Sequence, residues 1–167
     1  MFTPENTAIL RSLCEIADRA RAEVRFGDRE WWRERCRYVL PDVAPAFVLA
    51  GRLPKARSGD LRPPYEVFWV RPAGPGGAPF GGLELIMGFD EGQADGEFPE
   101  LAALVHARAS RKLWLAWHPT LAAARSSHAQ IKSWLRDSSL AGERATYVLA
   151  SVVRERKRLL FSMKTFH

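Results

Sequence analysis

The chain has 167 residues, 47% of them hydrophobic and 26% charged, with a formal net charge of +6. That size and composition suit one globular domain over residues 1–167 with a packed core, and exclude a disordered chain or a disulfide-stapled miniprotein. No apolar run approaches the roughly 20 residues of a membrane-spanning helix, and Met1-Phe2-Thr3-Pro4-Glu5-Asn6 lacks the basic-then-apolar pattern of a secretory signal, so a cytoplasmic location without membrane insertion is expected. Cys14 and Cys36 are not in a CxxC arrangement and read as two buried thiols.

Thr3, Pro4 and Glu5 form an N-cap, a first-turn proline and a first-turn acid. Ile9, Leu13, Ile16, Ala20 and Val24 then recur at helical spacing, with Gly27 as the expected stop. Asp28 caps a second predicted helix through Trp31, Trp32, Cys36 and Val39, closed by Pro41. From Pro41 to Gly96, prolines and glycines separate β-branched and aromatic runs at 46–49, 65–70 and 83–89, which predict strands. Pro63-Pro64 marks a turn, and the breaker-rich stretch 72–82 reads as a mobile hairpin loop. A short helix from Pro99 carrying Leu101, Leu104 and Val105 precedes a strand over 112–117. Leu121, Ala124, His128, Ile131 and Leu135 make a further helical stripe, ending near 137–142. The last segment reads as two strands, 147–153 and 159–166, around Arg154-Glu155-Arg156-Lys157. One long helix is the rival, disfavoured by the missing caps and the β-branched content. The fold class is α+β: a mainly antiparallel sheet of about five or six strands, with helices at the N-terminus and between later strands, on one face or at the ends.

Charge is uneven along the chain. Residues 90–110 hold Asp90, Glu91, Asp95, Glu97 and Glu100 against Arg108 alone, whereas residues 111–167 carry 11 basic and three acidic groups. A cation-rich third attracts nucleic acid or an acidic protein through its long-range field. Arg154, Arg156, Lys157 and Arg158 are the candidate phosphate or carboxylate contacts, with Lys164, Lys132, Arg136 and Arg144 adding to the same regional charge. Aromatics beside cations, Trp69 with Arg71 and Trp114 and Trp117 near Arg111 and Lys112, are candidate base-stacking sites. Trp31 and Trp32 are adjacent and cannot both face inward on one helix, so one of them is a candidate protein interface.

Catalytic patterns are sparse. The glycines of 74–82 lack the spacing of a phosphate loop, and a strand rather than a helix follows. The acidic stretch 90–97 lacks the EF-hand register. His106, His118, His128 and His167 show no zinc-binding spacing and read as solitary, with His128 a hydrogen-bonded residue on its helix's apolar stripe. Restriction-type nucleases hold a cation with an Asp and a Glu-x-Lys element. Glu66 and Glu84 lie on predicted strands, but Phe68 and Ile86 stand where that Lys is needed. No catalytic residue, metal site or cofactor is assigned. The leading reading is a non-catalytic binding protein with nucleic acid as first partner. A protein-interaction module such as an inhibitor, immunity or accessory factor is the alternative, and a metal-dependent hydrolase stands behind both.

Overall fold

The structure is a computed structural model that describes residues 3–52, 67–73, 80–90, 98–137 and 144–166. The expectations for the Pro63-Pro64 turn, the centre of the glycine-rich stretch, residues 91–97, the region 138–142 and His167 lie outside the described residues.

Helix α1 spans Pro4–Ala22 and begins as its caps require, with Thr3 Oγ1 accepting from the Asn6 amide at 3.2 Å. It ends before Gly27, because Val24 takes the left-handed conformation (φ 55°) and the Glu23 amide closes back on the Arg19 carbonyl. Helix α2 spans Arg29–Asp42; its N-cap Asp28 accepts from the Trp31 amide at 3.0 Å, and Pro41 sits in its last turn.

Six strands form one sheet in sequence order: β1 (Leu49–Arg52), β2 (Val67–Pro72), β3 (Phe80–Asp90), β4 (Ala109–His118), β5 (Ala145–Val153) and β6 (Arg158–Phe166). The β1–β2, β2–β3 and β5–β6 pairs are antiparallel, and the rest are parallel. The C-terminal segment is therefore the hairpin, with its turn at 154–157. The parallel pairs need crossovers, supplied by α3 (Pro99–His106) and α4 (Leu121–Asp137). Helices consequently cover both faces rather than one. Trp69, Leu85, Leu113, Leu115 and Val148 pack against α1 and α2, while Ile86, Trp114, Tyr147 and Leu149 pack against α3 and α4.

Strand β3 begins inside the glycine-rich stretch read as loop. Gly82 (φ +109°) and Gly81, where a Cβ would meet the Pro72 carbonyl at 2.8 Å, permit a register shift against β2 that ordinary residues resist. At the far end of β3, Asp90 accepts from the amides of Glu100 and Leu101 and from Trp114 Nε1 at 3.2, 3.1 and 2.7 Å. A carboxylate thus fixes the N-terminus of α3 against the sheet. Both cysteines are free thiols; Cys36 is in the core, but Cys14 is exposed rather than buried. No helix among the described residues is long and apolar enough to cross a membrane.

Candidate nucleic-acid interface

Helix α4 packs over β4, β5 and the edge strand β6. Its sheet-facing residues are Ala124, His128, Ile131 and Leu135. Arg125, Lys132 and Arg136, separated by seven and four residues, fall on one flank of that stripe. Gln130, Ser133 and Trp134 line a groove against α3 on the other flank. The basic flank therefore points away from α3, toward the β6 edge.

The hairpin supplies the second row. Lys164 pairs with Tyr147, and Arg158 with Val153. Tyr147 belongs to the α3/α4-side core, and side chains alternate along a strand, so Arg158, Leu160, Ser162 and Lys164 all lie on the α4 side of β6. Because β4 and β5 are parallel, α4 runs back between them and so runs in the same direction as β6. The two rows are tied at one end: Glu155 Oε2 accepts from the Leu121 amide at 3.3 Å, and the Glu155 amide donates to the Pro119 carbonyl at 3.0 Å. Arg21 Nε donates to the Lys157 carbonyl at 2.7 Å, holding the turn to α1, and Lys157 itself has φ 46°.

Arg156, Lys157 and Arg158 crown this edge, with Arg125 one turn into α4 beside them, whereas Arg154 Nε lies 3.9 Å from the place a Cβ on Gly27 would take, toward the α1–α2 connection. Lys132 follows, then Arg136 and Lys164 at the opposite end. From Arg125 to Arg136 the helix row is about 17 Å long. The only carboxylate in the turn, Glu155, faces the α4 N-terminus, where the helix dipole favours it. Of the eight basic residues singled out from the sequence, six join this edge, while Arg154 and Arg144 do not, and Arg125 is added to them. Its signal was the spacing with Lys132 and Arg136, which gains meaning only once the buried stripe of α4 is fixed.

The aromatic sites fare differently. Trp69, Trp114 and Trp117 are buried, so none offers a base-stacking surface. Trp69 Nε1 donates to the Leu40 carbonyl at 3.1 Å and Trp114 Nε1 to Asp90, as buried indoles require. Lys112 is buried with them, its Nζ donating to the Val105 carbonyl at 2.9 Å at the C-terminal end of α3. Trp32 is 0% exposed and donates to the Phe26 carbonyl at 3.0 Å, which removes it from any surface. Trp31 is half-buried; its indole donates to Glu23 Oε2 at 3.2 Å and Arg35 lies over its ring.

Both oxygens of the Glu84 carboxylate, 3% exposed, face guanidiniums: Arg71 Nε donates to Oε2 at 2.7 Å and Arg111 Nη1 donates to Oε1. Arg111 also reaches Asn6 Oδ1 and Glu5 Oε2 on α1 at 3.0 and 3.2 Å. A cation site built on Glu84 would compete with these two arginines, and Ile86 lies in the α3/α4-side core. No three His, Cys, Asp or Glu among the described residues are placed to hold a metal ion.

His118 and His128 are not solitary. Both rings lie edge-on to Trp114, with centroids 6.2 and 6.0 Å away. His118 Nε2 is 2.9 Å from Ser127 Oγ and His128 Nε2 is 2.9 Å from Ser151 Oγ. Burial pushes both pKa values down to about 4, with His118 and then the charge of Lys132 adding to the shift at His128. Both are thus neutral near pH 7. Comparison of the chain with protein-family models, curated proteins and solved structures finds no match.

Proposed function

We propose that the protein binds the phosphate backbone of nucleic acid, without catalysis, along the edge formed by α4, β6 and the 154–157 turn. The observation that carries this reading is the alignment of two basic runs, Arg125–Lys132–Arg136 on α4 and Arg156 to Lys164 on the hairpin. They are remote in sequence but lie side by side along one sheet edge. Guanidiniums suit phosphate because their planar forks meet its oxygens in pairs. Burial of Trp69, Trp114 and Trp117 favours backbone contact over base stacking, and hence duplex over single strands.

Fluorescence anisotropy with labelled duplex and single-stranded DNA and RNA at low and near-physiological salt tests the reading. About five to eight phosphate contacts give a slope of log affinity against log salt near −4 to −7 on duplex. The Arg156→Ala, Lys157→Ala and Arg158→Ala triple variant should bind more weakly on every sequence while unfolding like the wild type. Absence of binding even at low salt would sink the proposal and turn attention to an acidic protein as partner.

A further inference from the structure

A second basic site lies at the end of the sheet, where β4 and β5 begin and β2 and β6 end, with Thr165 turned to the face opposite Lys164. A cavity of ≈ 550 Å³ there is lined by Arg71, Arg111 and Arg144 with the hydroxyls of Ser110, Thr146 and Thr165. An adjoining cavity of ≈ 500 Å³ shares Arg71, Glu84, Ser110 and Arg144 and adds Arg108. Together they match the size of small-molecule sites.

The basin is built in two tiers. Its floor is rigid: Glu84 is clamped between Arg71 and Arg111, and Arg111 is tied to Asn6 and Glu5 of α1. Thr146 Oγ1 and Thr165 Oγ1 lie 3.0 Å apart, joining β5 to β6 across one wall. Above the floor, Arg108 and Arg144 are exposed, and Arg71 keeps 54% of its side chain exposed despite its bond to Glu84. Among the described residues of the larger cavity, Arg71, Arg111 and Arg144 stand with Glu84 and, through Arg111, Glu5. Burial works against protonated Arg111, Glu5 favours it, and the nearby Arg71 charge adds a smaller opposition. The Gly81–Gly82 shift in β3 lies in the wall of the second cavity, beside Glu84.

We propose that this basin receives a terminal phosphate, the dianionic monoester group carried by a free nucleotide or by a nucleic-acid end. Guanidinium forks and neutral hydroxyl donors around one concavity suit a group with three terminal oxygens and two negative charges. A backbone diester carries one charge and no such terminus, and the extended basic edge of α4 and β6 suits it better.

The test uses two matched pairs, a nucleoside 5′-monophosphate against its nucleoside and a 5′-phosphorylated duplex against the same duplex with a 5′-hydroxyl. Titration calorimetry serves the first pair and anisotropy the second. The expected result is a preference of at least about tenfold for the phosphorylated member, equivalent to about 1.4 kcal/mol. Preference in the first pair alone identifies a free nucleotide, and preference in the second a nucleic-acid end. It should vanish in an Arg108→Ala, Arg144→Ala variant, or in Arg144→Gln alone should the double variant lose stability, while salt-dependent duplex affinity through α4 and β6 stays. No preference in either pair, or a preference retained by a variant that unfolds like the wild type, overturns the proposal.

Discussion

Lowering the pH from 7 to 5 should destabilise this protein through His118 and His128 before its carboxylates titrate. Both side chains are buried, 2% and 4% exposed, and each folded pKa is about 4 against an ordinary 6.5. The folded state holds the neutral rings, so on acidification the unfolded chain takes up protons first. Stability is whole above pH 6.5 and is lost progressively between 6.5 and 4. At about 1.4 kcal/mol per pH unit, the limiting loss is near 3.4 kcal/mol for each histidine, and at pH 5 it is roughly 2 kcal/mol each. The combined loss, about 4 kcal/mol, is a large share of the 5–15 kcal/mol typical of a domain. Urea unfolding followed by tryptophan fluorescence at pH 7, 6 and 5 measures it directly. The double variant His118→Gln, His128→Gln removes both titrating rings while keeping a polar group near each serine, so its midpoint should barely move over this range. A wild-type loss below about 1 kcal/mol, or an equal loss in the double variant, would refute the reasoning.

Three further outcomes follow, two from buried polar contacts and one from backbone conformation. Glu84→Ala removes the carboxylate shared by Arg111 and Arg71, and since Arg71 is half exposed and Arg111 keeps Glu5 and Asn6, it should cost about 1.5–3 kcal/mol in urea unfolding. Asp90→Ala frees two α3 amides and Trp114 Nε1 together; a loss of about 2–4 kcal/mol is expected, with faster amide exchange confined to the first turn of α3. Gly82→Ala forces a side chain to φ +109° and should cost about 1–2 kcal/mol despite the open space there, measurable as a lower Tm.

Local chemistry made much of this fold legible. Thr3-Pro4-Glu5 and Asp28 cap α1 and α2 as their residue types require, and the alternation of Leu159, Phe161 and Met163 marks β6. The two-sided helical cover was missed, although a signal was present. Leu113 to Trp117 and Val148 to Val153 are nearly continuous apolar runs, which strands buried on both faces require and a one-sided antiparallel sheet does not. The basic third was visible as a count, but its shape depended on α4 lying over β6. The arginine basin was invisible because Glu5, Arg71, Glu84, Arg111 and Arg144 come from five separate elements or their flanks, brought together only by the sheet order. Arg71 and Arg111 drew attention for the tryptophans beside them, yet those rings turn into the core while the guanidiniums turn to Glu84.

The central claim is that α4 and β6 form one backbone-binding edge, and the salt dependence of duplex affinity in an Arg125→Gln, Lys132→Gln, Arg136→Gln variant tests it most directly. If the helix row touches phosphates, the slope of log affinity against log salt should become shallower than the wild type's by about 2 to 3, with affinity falling alike on unrelated sequences. A variant that folds normally and keeps the wild-type slope and affinity would contradict the account.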